Sequence, residues 1–344
     1  MLRAVPFSAL MLLFSALLLA SAASSISVGP MNISFLDSLN ALLNPSAALS
    51  PHIEMIIHQI RLPRTLLCML VGATLAVCGA VMQGLFRNPL AEPGIIGVSA
   101  GSSLGAAMAI VLFGSIADQY STLVNVLALP VFAFAGGVIT TLLVYKLGTA
   151  KLGTSVTVML LAGVAISALS GAGVGYLNFV ADDQMLRDLS LWSMGSLAGA
   201  NRTNIALCCV ALGLLLICFR RKAMALNALL LGEAEAKHLG ISVQRLKRQL
   251  IVLTAFGVGI TVSVAGNIGF VGLVVPHLTR MLCGPDHRIL IPISALFGAL
   301  LLLFADMYAR IAAAPAELPV GIVTALIGAP FFIYLLFKQR GNML

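Results

Sequence analysis

Apolar stretches broken by short polar or Pro/Gly-marked segments run the length of the chain, near residues 5–24, 65–86, 94–114, 123–145, 155–177, 203–219, 249–268, 270–283, 289–311 and 318–337. Roughly 20 apolar residues are needed for a helix to cross a bilayer. The pattern therefore predicts an all-α, polytopic membrane protein with ten transmembrane helices in a single transmembrane domain over residues 1–344. The runs are continuous and do not alternate in ten-residue segments, which excludes an outer-membrane barrel. The eighth run is short and contains Pro276 and His277, which a membrane helix accommodates where neighbours or water satisfy the freed backbone groups. At the N-terminus, Arg3, an apolar run to Ala20 and then Ser21-Ala22-Ala23 resemble a cleavable signal peptide. The run is long for one, so a retained first helix is expected.

Composition sharpens this. Of 344 residues, 60% are hydrophobic and 9% charged, against about 25% charged in soluble domains. The 32 glycines and few aromatics suit helices that approach closely through small residues. The net charge of +8 forms no basic patch interleaved with aromatics, so nucleic acid is not implied. It does orient the chain. With both termini cytoplasmic, only Arg61, Arg64, Arg187, Arg202 and Arg310 of the 20 Lys and Arg residues lie outside, whereas the rest, including Arg3, Lys151, Lys338 and Arg340, lie inside. The six cysteines lack the paired spacings of zinc or iron–sulfur sites and read as small packing residues.

No Gly-x-x-x-x-Gly-Lys-Ser/Thr loop occurs, so any ATP drive must come from another subunit. Asp306, Glu317 and Glu92 are isolated acids near span ends or loops, a setting in which local pairing is expected over proton relay. The polar segment Leu231 to Gln249 contains Gly232-Glu233-Ala234-Glu235-Ala236-Lys237-His238-Leu239-Gly240, which predicts a short helix ended by glycine. On charge alone it is either a solvated connector or a docking helix. Arg61-Leu62-x-Arg64-x-Leu66 recurs as Arg245-Leu246-x-Arg248-x-Leu250, and Phe86 as Phe270, at a spacing of 184. Such a repeat starts five spans apart, which is the inverted arrangement found in transporters.

Three blocks carry a family resemblance. The first runs from Arg61-Leu62-Pro63-Arg64-Thr65-Leu66 through Gly79 to Pro93 and on to Gly97-Val98-Ser99-Ala100-Gly101. The others are Gly269 to His277, and Ala316-Glu317-Leu318-Pro319-Val320-Gly321 extending to Gly328-Ala329-Pro330-Phe331-Phe332. Together they resemble the permeases of iron-siderophore, heme and vitamin B12 importers, the type II ATP-binding-cassette importers, and most of all bacterial heme (hemin) permeases. The resemblance implies a homodimer in the bacterial inner membrane, with the pathway on its two-fold axis. It also implies two cytoplasmic ATPase subunits below and a periplasmic substrate-binding protein above.

By the same resemblance, Arg61, Arg64 and Arg310 are expected to receive acidic side chains of the binding protein. The segment at about 228–248, with Gly232, Glu233, Glu235, Lys237, His238, Leu239 and Gly240, is expected to couple to the ATPase. Asn88 and Leu90, with Thr154, Ser155 and Thr157, match the loops of a cytoplasmic gate. The fifth and tenth spans would line the pathway, with Gly163, Ser167, Ser170, Gly171, Gly173 and Gly175 on the fifth. Heme is the expected cargo, with ferric siderophore or vitamin B12 as alternatives, and an ion-coupled secondary carrier is the rival from another class. No catalytic residue, metal ligand or permanently bound cofactor is expected, because no sequence motif groups His52, His58, His238, His277 and His287 into a ligand set and a pathway must release its cargo.

Overall fold

The computed structural model describes residues 6–43, 50–113, 122–150 and 153–341. Arg3 and Lys151 of the charge count lie outside them, as do the side chains of Lys338 and Arg340. Among the described residues the chain is a bundle of helices with one two-stranded hairpin. In chain order the helices are α1 (Phe7–Ser27), α2 (Phe35–Leu43), α3 (Pro51–Met55), α4 (Leu62–Leu85), α5 (Val98–Met108), α6 (Thr122–Leu147) and α7 (Val156–Val180). They continue as α8 (Asp183–Ser193), α9 (Arg202–Leu230), α10 (Glu233–His238), α11 (Val243–Ala265), α12 (Val271–Cys283), α13 (His287–Ile311) and α14 (Val320–Gly341). The hairpin pairs β1 (Thr149–Ala150) with β2 (Gly153–Thr154).

Eight of these helical segments are long and apolar enough to cross a membrane, and two shorter apolar ones, Val98–Phe113 and Val271–Cys283, bring the number to the ten expected. The boundaries differ in informative ways. The second span does not start at residue 65, because helical structure runs from Pro51 to Leu85 with a wide turn at Ile56–Arg61. Its first turns carry His52, Glu54, His58 and Gln59, polar residues that read as a loop, yet Ile57 is fully buried against Ile26, Ile33 and Ala41. The sixth span continues past Arg220-Arg221-Lys222 to Leu230. Helices α2 and α8 were not foreseen, because short amphipathic helices lack a long apolar run.

Helix α4 is the axle of the bundle. Most of its residues are buried, and it packs against α9, α11, α12 and α13. Glycine makes this possible. A Cβ at Gly72 would strike the Gly298 carbonyl of α13, and one at Gly79 would strike the Gly272 carbonyl of α12. Backbones that approach this closely gain dispersion contacts in a setting where lipid gives no hydrophobic drive between helices. By contrast, α7 and α9 bury only 22% of their most apolar windows. In α7, Leu161, Val164, Ala168, Gly171, Gly175 and Phe179 fall on one exposed stripe.

The bundle has two chemically distinct ends. The N-terminus of α4 meets the C-termini of α1 and α13 near Asp306, and its C-terminus meets the N-terminus of α13 at His287. Replacing Gly79 by Leu is expected to wedge α4 from α12 and cost about 1–3 kcal/mol. Thermal unfolding of the detergent-solubilised chain should show a melting temperature lowered by several degrees.

Candidate functional site

At the Asp306 end, three arginines converge on one carboxylate and one helix terminus. Asp306 is fully buried and is gripped by two guanidiniums. Arg64 donates from Nε to Oδ1 at 3.0 Å and from Nη2 to Oδ1 at 2.9 Å. Arg310, one helical turn after Asp306, donates from Nε to Oδ2 at 2.8 Å, with a further short contact from Nη2. Arg64 Nη1 also reaches Glu317 Oε2 at 2.5 Å.

The remaining donors turn to the last carbonyls of α1 and to Met31 in the segment that follows it. Arg61 Nη1 bonds the oxygens of Ile26 and Ser27 at 3.0 and 2.6 Å, its Nη2 contacts the Met31 oxygen, and Arg310 Nη1 bonds the Ser25 oxygen at 3.0 Å. The last carbonyls of a helix lack intrahelical partners and carry its negative pole, so three cations balance two carboxylates and a dipole. Relative exposures are 4% for Arg61, 5% for Arg64 and 2% for Arg310. The residues expected to meet a binding protein thus lie together at one end, with their guanidiniums engaged inside the subunit. Asp306 and Glu317 pair locally, as expected. Glu92 also has a local partner, accepting from the Phe270 amide at 3.0 Å.

At the opposite end lies the expected short helix, α10, entered through Gly232 (φ 127°) and left through Gly240 (φ 80°). Both glycines occupy the left-handed region that side chains disfavour. Ala236 is buried, while Glu235, Lys237, His238, Leu239 and Gly240 are exposed, so α10 stands on one small residue and presents Glu235, Lys237 and His238 outward. Leu231 and Leu239 are exposed at its two flanks.

The residues expected to form the gate occupy two loops at this end. Asn88 follows α4 and closes a tight turn by accepting the Leu90 amide on Oδ1 at 2.9 Å. Thr154 is buried in β2, Ser155 accepts the Val158 amide as the N-cap of α7, and Thr157 is exposed. What holds the hairpin is α11. Gln244 Oε1 accepts the Thr154 amide at 2.9 Å, and Lys247 Nζ donates to the Thr154 carbonyl at 2.8 Å. Neither residue was singled out from sequence, although their i, i+3 spacing puts both on one helix face.

A second polar network at this end links α9 to α13. Asn227 donates to Asp286 Oδ1 at 2.6 Å and accepts the His287 amide at 2.9 Å. Hydrogen bonds from Arg288 hold Asp286 well below the usual carboxylate range.

The expected pathway residues of α7 separate. Gly171 and Gly175 face open space, Ser167 is half-buried, and Ser170 is buried. Gly163 sits against the Ile95 carbonyl and Gly173 against Leu104. Four of the six are thus wholly or partly packed within the bundle. Among the described residues, no three His, Cys, Asp or Glu side chains converge as a metal site. The cysteines Cys68, Cys78 and Cys208 are buried, and all six are free thiols.

The sequence profile of the FecCD transport family matches residues 17–338. The chain belongs to the FecCD transport family. It is 44% identical over 333 residues to the hemin transport system permease protein of Yersinia pestis, spanning 94% of both chains. It is 43% identical over 300 residues to a vitamin B12 import system permease protein of Escherichia coli, covering 87% of this chain and 88% of that one. A solved transporter chain, described as of metal-chelate type and in an inward-facing conformation, superposes with a TM-score of 0.80 at 34% identity. That match covers 95% of this chain and 98% of the other. The chain is therefore the permease subunit of an ATP-binding-cassette importer, a multi-pass inner-membrane transport subunit and not an enzyme, with ATP hydrolysis carried by a separate subunit.

The geometry makes the Asp306 cluster a structural clamp between α1, α4 and α13. Asp306→Asn leaves Arg64 and Arg310 buried without their shared counter-charge, at a cost of about 3–5 kcal/mol. Expression and size-exclusion profiles of this variant should show loss of the folded, monodisperse chain, whereas Glu317→Gln, at the half-exposed edge, should retain it.

Proposed function

We propose that this permease carries heme from a periplasmic binding protein to the cytoplasm by alternating access. The supporting observation is the likeness to a hemin permease along 94% of both chains. Ferric siderophore or vitamin B12 is the alternative cargo, since the likeness to vitamin B12 permeases is nearly as high. Heme is here a transported solute. The scarcity of polar ligands along α7 suits a pathway that holds its cargo weakly and lets it go.

In this reading the Glu233 end faces the cytoplasm with both termini, in keeping with the positive-inside distribution. Two copies pair about a two-fold axis, and the exposed stripe of α7 containing Gly171 and Gly175, together with α14, lines the pathway. Helix α10, within the segment 228–248, enters the ATPase through its exposed Glu235, Lys237, His238 and Leu239. The loops of Asn88 and Leu90 and of Thr154, Ser155 and Thr157 close the inner gate.

The binding protein meets the Asp306 end. There Arg61, Arg64 and Arg310 act by fixing the shape of the receiving surface and orienting the half-exposed Glu317. An ion-coupled carrier is disfavoured, because Asp306 and Glu317 are already bound to arginine and form no chain of acids along which a proton could pass.

The test is reconstitution of permease and ATPase in liposomes with each cargo and its binding protein. Heme-loaded binding protein is expected to stimulate ATP hydrolysis and deliver heme to the lumen. Stimulation by the vitamin B12 or siderophore pair alone would replace the cargo, and uptake under an ion gradient without ATPase would overturn the importer reading.

A further inference from the structure

A buried lysine sits where nothing in the membrane plan requires one. Lys247 is on the second turn of α11 and only 1% exposed. Near a helix N-terminus the dipole opposes a cation, and an unpaired buried charge is costly, so the position demands strong acceptors. It has two, and they belong to different elements. Nζ donates to Glu233 Oε1 at 2.6 Å and to the Thr154 carbonyl at 2.8 Å. Glu233 is the first residue of α10, and Thr154 pairs with Thr149 in the hairpin.

One turn earlier on the same face, Gln244 Oε1 accepts the Thr154 amide at 2.9 Å. Both backbone polar atoms of Thr154 are thus held by α11 side chains. The fit is close, because at Gly153 (φ 119°) a Cβ would meet the Gln244 side-chain amide. Strand β2 is therefore held against α11, and the Lys247 ammonium joins it to Glu233 of α10. By comparison, Glu235, Lys237 and His238 on α10 point outward and cannot carry displacement into the permease themselves.

We infer that Lys247, supported by Gln244, is the positioning residue that passes movement of the Glu233 helix to β2 and the start of α7, so that displacement of α10 shifts the Thr154–Ser155 backbone. This rests on the importer reading above. Glu233 then has a different task from its neighbours on α10, because its carboxylate faces inward to the lysine and not outward to an ATPase. The link is geometrically short, as one side chain bridges two backbone segments that are 79 positions apart in sequence, Thr154 and Glu233.

Two measurements test it on the full-length permease. The first is hydrogen–deuterium exchange of the solubilised chain, without ATPase. Lys247→Met, which keeps the apolar stem, should speed exchange at the Thr154 and Ser155 amides by about tenfold or more, the scale of losing a hydrogen bond to a charged group. Lys247→Arg should restore part of the protection. Glu233→Gln, at a half-exposed position, gives a second variant should Lys247→Met not fold, and should shift the same amides in the same direction.

The second measurement is cargo delivered per ATP hydrolysed in liposomes with ATPase and binding protein. It should fall about tenfold in Lys247→Met and Glu233→Gln and recover in Lys247→Arg. A merely structural lysine would lower the amount of assembled complex without changing this ratio. Wild-type exchange and a wild-type ratio in both variants overturn the inference. Altered exchange in variants of a wild-type complex that moves no cargo with ATP overturns the importer reading and leaves the physical link intact.

Discussion

Inside a bilayer every polar group must find its partner within the protein, because no water is present to supply one and each unsatisfied group costs several kcal/mol. The Arg64–Asp306–Arg310 cluster meets that constraint most fully. Two guanidiniums occupy both oxygens of a buried carboxylate, and their spare donors, with those of Arg61, satisfy the last turn of α1. The cluster thus joins residues some 285 positions apart and sets where α1, α4 and α13 meet. Once those termini are fixed, the glycine contacts of α4 with α12 and α13 determine how closely the bundle closes around its axle.

The opposite end solves the same problem differently. Lys247 also has its acceptors, but one is a carboxylate at the edge of water and the other a single carbonyl in a two-residue strand. Glu233 lies half in solvent, where screening weakens its share of the pair, but Lys247 is buried and loses much if left without an acceptor, so the ammonium ties the two elements together. An enclosed clamp at one end and a half-exposed link at the other suit the proposed alternating access.

The apolar runs made the ten crossings readable, since roughly 20 apolar residues leave few other fates, and Gly232 and Gly240 framed α10 correctly. The extension of the second span back to Pro51 was hidden because His52, Glu54 and His58 resemble a loop, although Ile57 is buried beneath α2. The run past Arg220-Arg221-Lys222 to Leu230 is hidden because basic residues resemble a helix end, when they mark only where the helix leaves the apolar layer. Of the two charge clusters, the Asp306–Arg310 pair had a visible signal in its i, i+4 spacing. Arg64 is 242 positions from Asp306, and no local pattern reveals such a partner. Lys247 was masked by Arg245 and Arg248, exposed neighbours that make all three look like one solvated basic run. The pathway glycines divided for a related reason, because composition marks small residues but not whether a helix or open space lies opposite.

The whole account depends on which side of the membrane α10 occupies. Lys237→Cys, in a background with the native cysteines replaced, should resist a membrane-impermeant maleimide in intact spheroplasts and react fully once the membrane is permeabilised, while Asn32→Cys should react already in intact spheroplasts. Labelling of position 237 from the outside would contradict the arrangement of clamp and link, and with it the route by which an ATPase could act on this chain.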